Sequence, residues 1–378
     1  VACSSARIID ADNRSMTEAR VVQPGALRWD VFCRVIDNHG DLGVCWRLAS
    51  QLAARGQHCR LWIDDASALA WMAPRTTPVI AGAFDDAAHA EPGDVVIEAF
   101  GCDPPPGFVE SMRRVAPPVW INLEYLSAQD YVDRSHGLPS PQTAGPGAGL
   151  TKWFFFPGFT PSSGGLLRAP HAAAPAVLPL REDERAVLVF AYAHARLGAL
   201  LDALDVEPTL VLAAPGPSQA LLEPLFLDDR RGRHLRLHRL PWLDQPGFDA
   251  LLPACALNVV RGEDSLVQAL WAGAPFVWNI YAQDDGAHEA KLEALQGRML
   301  DGADAHTARG VRRVFRAVNG FASGDEPLPP LDTARLATWR AAITPWLHGL
   351  RAQEDLVTRL VAFVVRQRRT GSIEGWPR

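Results

Sequence analysis

Several signatures that would settle the chemistry of this chain are missing. None of its apolar runs approaches the ~20 residues of a membrane-spanning helix. There is no CxxC pair and no HExxH helix, and His39, His136, His194 and His288 lie scattered, so no metal site is implied. A GxSxG nucleophile elbow is also missing. Positive charge is in short supply. The 37 Lys and Arg residues against 43 Asp and Glu leave a net charge of −6, contrary to the basic balance of a general nucleic-acid binder. The opening VACSSARIIDADNRS lacks the charged start and long apolar core of a secretory signal. Residues 1–28 read as a loose N-terminal extension, with Met16 an alternative start. The six cysteines (Cys3, Cys33, Cys45, Cys59, Cys102 and Cys255) suit reduced, mostly buried thiols in a cytoplasm better than disulfides or zinc.

What is present is an α/β rhythm. A chain of 378 residues is too long for one ordinary core, so two domains are expected. Residues 31–36, 59–63, 78–80, 95–98 and 119–123 read as strands, separated by helical patterns at 44–54, 66–72 and 108–115. Residues 135–185 are dense in Gly, Pro and Ser and read as a long loop and linker. The aromatic run WFFF at 153–156 within it suits packing between domains. The rhythm then restarts, with strands at 186–192, 209–213, 235–240, 256–260 and 276–280. Helices are expected at 195–204, 248–254 and 265–272, and 331–369 reads as helical. Such alternation predicts right-handed βαβ units and mainly parallel sheets. Nucleotide-sugar transferases, oxidoreductases and ligases share this layout.

Three segments carry candidate chemistry. The first is IDNHGDLG, 36–43, where strand gives way to helix. Asp37 and Asp41 lie at the carboxyl edge of the expected sheet, where parallel sheets bind ligands. The segment is neither a GxGxxG fingerprint nor a P-loop. Asp41 equally suits an N-cap, and the spacing leaves both roles open. The second is LNVVRGEDS, 257–265. A helix N-terminus preceded by Arg261 suits a diphosphate. Glu263 and Asp264 then need another task, such as holding hydroxyls or a substrate cation. The alternative is a capping arrangement through Asp264 or Ser265, with Arg261 paired to an acid. The third is FAYAH, 190–194, where Phe190 or Tyr192 could stack on a base. Gln245 in PWLDQPGFD has an amide able to read a base edge.

WDVFCRVIDNHGDLGVCWRLASQLA and VVRGEDSLVQALWAGAPFVWNIYAQ resemble the two hallmark segments of the elongation factor P arginine rhamnosyltransferases, the EarP family. INLEYLS at 121–127, HGLPSP at 136–141 and KWFFFPGFT at 152–160 resemble the same family in the same order, and the likeness runs from about Trp29 to the C-terminal helices. The resemblance implies a GT-B fold, with two Rossmann-like domains facing a cleft and a C-terminal helix returning to the first. It leaves out residues 1–28, and the domains expected are an acceptor-side domain at 29–165, a linker at 166–185, a nucleotide-sugar domain at 186–348 and a return helix at 349–378. The implied donor is dTDP-β-L-rhamnose, and the acceptor is an arginine of elongation factor P. Transfer inverts the anomeric carbon and needs no metal or other cofactor, nucleic acid or membrane. By position, Asp41 matches the general base, Asp37 its companion and Glu263 an acid near the reacting centre. Arg261, Asp264 and Ser265 fall where diphosphate and sugar are held. Phe190, Tyr192 and Gln245 match nucleotide contacts, and Tyr281 is a further candidate. Two departures are His39, in place of Phe or Tyr, and Ala282, in place of Pro. The alternatives are a GT-B transferase or epimerase using another nucleotide sugar, or a non-catalytic nucleotide-binding partner of a translation factor.

Overall fold

The computed structural model describes residues 25–36, 39–73, 78–168, 175–227, 234–321 and 327–374, the last five as backbone only. Short apolar runs become strands whose central members are buried on both faces, as parallel strands under crossover helices must be. The first sheet contains β1 (Arg28–Cys33), β2 (His58–Ile63), β3 (Ile80–Ala83), β4 (Val95–Ala99), β5 (Val119–Leu123), β6 (Pro139–Pro141) and β7 (Thr151–Phe155). Its order is β3-β2-β1-β4-β5-β7-β6, parallel except for β6 against β7. The second contains β8 (Arg185–Val189), β9 (Thr209–Ala213), β10 (Leu235–Arg239), β11 (Leu257–Arg261) and β12 (Phe276–Asn279), in the order β10-β9-β8-β11-β12, all parallel.

Helices α1 (Gly40–Ala54), α2 (Leu69–Met72), α3 (Pro106–Ser111) and α4 (Tyr131–Ser135) accompany the first sheet. With the second come α5 (Gly198–Leu204), α6 (Pro217–Phe226), α7 (Gln245–Leu251), α8 (Gly262–Ala272), α9 (Ala287–Met299), α10 (Ala305–Val318) and α11 (Thr333–Arg351). The final helix, α12 (Leu356–Glu374), leaves that lobe. Leu336, Ile343 and Leu347 of α11 belong to the second core, whereas Val357, Leu360 and Phe363 of α12 belong to the first. This is the GT-B arrangement, two parallel α/β lobes with a helix returning to the first. Strand order reverses between β1 and β4 in one sheet and between β8 and β11 in the other. Crevices form at the carboxyl ends of strands at such reversals, so two candidate binding edges follow from topology alone.

The expectation of loop and linker over 135–185 is corrected. Residues 139–141 and 151–155 are strands, with β7 hydrogen-bonded between β5 and β6. Their Gly- and Pro-rich flanks imitate a loop, while the pairing that makes β7 a strand is supplied from distant sequence. The rings of Trp153 and Phe155 each lie 5.8 Å from that of Phe363, so they meet the returning helix α12. The first strand also starts earlier than expected, at Arg28, with Trp29 fully buried. Residues 1–24 of the expected extension lie outside the described residues.

One buried cation joins the lobes. Arg47 of α1 is 6% exposed and faces α7 and α8. Its Nε donates to Asp264 Oδ1 at 2.6 Å, and its two terminal nitrogens bind the Asp249 carboxylate at 2.8 and 3.0 Å. Burial works against the Arg47 charge, but Asp264 and Asp249 together hold its pKa above the ordinary range. Two carboxylates share one guanidinium, so the cluster carries an excess negative charge. Burial pushes Asp249 up to about 6, against the pull of Arg47.

Two outcomes follow. Phe363→Ala should lower the unfolding free energy by about 3 kcal/mol in urea denaturation, because it empties a buried aromatic contact. For Asp249 the folded pKa lies above its ordinary 3.8, so its stabilising contribution is complete below pH 3.8 and is lost as pH rises through about 6. Asp249→Asn should flatten the fall in stability over that interval by up to about 3 kcal/mol, read from urea midpoints across pH.

Candidate active site

The turn after β1 enters α1 at Gly40, earlier than the expected residue 44, so Asp41 lies within the first helical turn. The N-cap position is taken by His39, with no side-chain cap. The Asp41 carboxylate folds back instead, and Oδ2 accepts the Ile36 N–H at 2.9 Å. Asp41 is 4% exposed and lies beside the positive end of α1. Asp37 lies outside the described residues. His39 sits edge-on to Trp71 and Trp242, at 5.4 and 6.1 Å, and so makes an aromatic contact across the lobes.

On the facing lobe, β11 ends at Arg261 and Gly262 opens α8 with φ +61, a conformation that disfavours any side chain. Neither Asp264 nor Ser265 caps the helix. Ser265 Oγ donates back to the Arg261 carbonyl, and Asp264 is held by Arg47 and by Gln245 Nε2 at 3.2 Å. Gln245 Nε2 also donates to the Gly43 carbonyl at 2.8 Å, a second link between lobes. The Arg261 guanidinium faces two aromatic rings. It lies 4.5 Å from the Phe190 ring centroid and 4.9 Å from that of Tyr192, and Nη1 is 3.5 Å from the Ala191 carbonyl. Glu263 points the other way, its Oε2 accepting the Leu126 N–H of the first lobe at 2.8 Å.

These groups line two cavities. The first takes His39, Gly43, Arg47 and Trp71 from one lobe and Phe190, Tyr192, Trp242, Gln245, Phe248, Arg261, Asp264 and Ser265 from the other. Its open space of about 100 Å³ is below the ~300 Å³ of small ligand pockets, so the lobes must part to admit a larger ligand. The second, about 240 Å³, is lined by Asp41, Phe100, Tyr125, Glu263, Tyr281 and Lys291 among others. Gly40, Tyr192 and Gly262 border both, so the cavities meet at the N-terminus of α8. Each described candidate for catalysis or donor binding lines one or the other. The first cavity offers aromatic walls, a guanidinium and a helix N-terminus, which suit a base and a diphosphate. The second offers carboxylates among aromatic rings, which suit a cation.

Sequence reasoning missed the groups behind the wall. Asn279 Oδ1 accepts the Tyr192 N–H at 2.8 Å, Ser218 Oγ accepts the Ala191 N–H at 2.8 Å, and Asn319 Oδ1 accepts the Ile280 N–H at 3.0 Å. All three are buried. The only sequence signal was a polar residue inside or beside an apolar run. Arg47, set in the apolar face of α1, gave the same signal. Among the described residues no three His, Cys, Asp or Glu side chains converge as metal ligands, and no helix is long and apolar enough to cross a membrane.

A family model described as Elongation-Factor P (EF-P) rhamnosyltransferase EarP matches residues 29–365. A protein-arginine rhamnosyltransferase of Pseudomonas putida is 41% identical, covering 89% of this chain and 98% of the relative. One from Pseudomonas aeruginosa is 40% identical over the same shares. A solved structure described as the structural basis for EarP-mediated arginine glycosylation of EF-P is 27% identical, with a TM-score of 0.58, covering 90% of this chain and 99% of that one. A glycotransferase of kitacinnamycin, 14% identical with a TM-score of 0.53, shares the fold. The match along nearly the whole chain, with the facing lobes and the cavities between them, places this chain in the EarP family of EF-P rhamnosyltransferases.

Proposed function

We propose that this enzyme transfers L-rhamnose from dTDP-β-L-rhamnose to an arginine side chain of elongation factor P, in the cytoplasm and with inversion at the anomeric carbon. One observation carries the reading: Asp41 and Glu263, from opposite lobes, line a single cavity that joins the Arg261 pocket at the N-terminus of α8. In this reading residues 29–165 form the acceptor side, 166–185 the linker, 186–348 the donor side and 349–378 the return helix.

The donor's base lies among Phe190, Tyr192 and Gln245, and its diphosphate lies against Arg261 and the first turn of α8 beside Ser265. The sugar projects past Gly262 into the second cavity, toward Tyr281. The acceptor guanidinium has a pKa above about 12 and is a weak nucleophile while its lone pairs are delocalised. Carboxylates orient it by paired hydrogen bonds and receive a proton as it reacts. A guanidinium nitrogen attacks the anomeric carbon from the face opposite the diphosphate. The carbon–oxygen bond to the diphosphate breaks, and the nitrogen's proton passes to Asp41. Asp37 assists Asp41, and Glu263 holds the guanidinium from the other lobe. Asp264, held in place by Arg47, serves the sugar side. Arg261 and the α8 N–H groups receive the negative charge that develops on the leaving diphosphate.

Incubation with EF-P and dTDP-rhamnose should add one deoxyhexose to a single arginine, detected by mass spectrometry, with UDP-sugars as the control donors. No mass increase would refute the reading. Asp41→Asn should lower kcat about 10³-fold while dTDP affinity, measured by calorimetry, stays within about threefold.

A further inference from the structure

Phe100 and Tyr125 are rings of the second cavity that the transfer step above does not use. Phe100 follows the end of β4 with φ +59, in the left-handed region that bulky side chains avoid. Two hydrogen bonds pin this turn. Phe100 N donates to the Leu123 carbonyl at 2.7 Å, and Gly101 N donates to Asn122 Oδ1 at 3.1 Å. The turn sets the Phe100 ring on Tyr125, with centroids 4.3 Å apart and planes 15° from parallel. Both rings line the cavity that holds Asp41 and Glu263. A strained backbone kept at a cavity wall is an observed outlier that points to use.

The surroundings define what the rings can receive. Tyr125 is one residue from Leu126, whose N–H binds Glu263 Oε2, so ring and carboxylate are fixed relative to each other. Lys291 Nζ lies 5.5 Å from the Tyr125 centroid, which shows the ring in contact with a cation. Aromatic faces beside carboxylates match a guanidinium: its plane stacks on a ring while its edge N–H groups reach the acids. A primary ammonium has the charge but not the plane. We propose that Phe100 and Tyr125 form a stacking platform for the acceptor guanidinium and thereby select arginine over lysine. This inference rests on the reading that the acceptor is an arginine.

Wild-type transfer to EF-P tests that reading separately, and the platform is tested with Tyr125→Phe, Tyr125→Leu and Phe100→Leu. Tyr125→Phe should keep the acceptor KM within about twofold. The two leucine variants should raise it at least about tenfold with dTDP affinity unchanged. Leucine variants that bind dTDP normally and keep the wild-type acceptor KM would overturn the platform. If a leucine variant loses dTDP binding, the wild-type enzyme decides. An alkylguanidinium should then compete with EF-P at about tenfold lower concentration than the matching alkylammonium. Equal inhibition by the two would overturn the platform.

Discussion

The structure depends on how one buried guanidinium is shared. Arg47 projects from the first lobe into the second and is held by Asp249 and Asp264. A buried charge without partners is strongly destabilising, so Arg47 requires the two lobes to stay in register while they are closed. That register brings the carboxyl edge of β1 opposite the carboxyl edge of β11. Each sheet reverses its strand order there, so two crevices that topology creates separately become one cleft. Burial raises the Asp249 pKa despite the pull of Arg47, so this contact depends on pH. A cleft that must open for its ligand benefits from such a balance.

Within the cleft, the start of α8 lies where the two cavities meet. Gly262 borders both cavities, and its positive φ lets the chain turn directly from β11 into the helix. On one side stand Arg261 and the helix N-terminus, matched to anionic phosphates. On the other stand Asp41 and Glu263, matched to a cationic acceptor. Arg261 is held over Phe190 and Tyr192, which orient its guanidinium. Behind those rings, Ser218 and Asn279 satisfy the backbone N–H groups of Ala191 and Tyr192. Buried groups paired in this way hold a loop in one conformation.

By itself the sequence determined the α/β class, the two-lobe layout and the segments at the cleft. Apolar runs bounded by turns specify strands locally, and a carboxylate or guanidinium at a strand end is visible in one dimension. Resemblance to the EarP motifs then supplied the fold name and the chemistry. Tertiary structure decided what local pattern cannot encode. It made β7 a strand by pairing it with β5, despite flanks that read as loop. It turned Asp41 from a capping position onto the Ile36 N–H, and it gave Asp264 to Arg47, which lies 217 residues away in the chain. It also set Phe100 against Tyr125 through a strained turn whose hydrogen-bond partners lie on the neighbouring strand. Each of these depends on contacts between distant segments, and a sequence pattern carries only the preferences of neighbours.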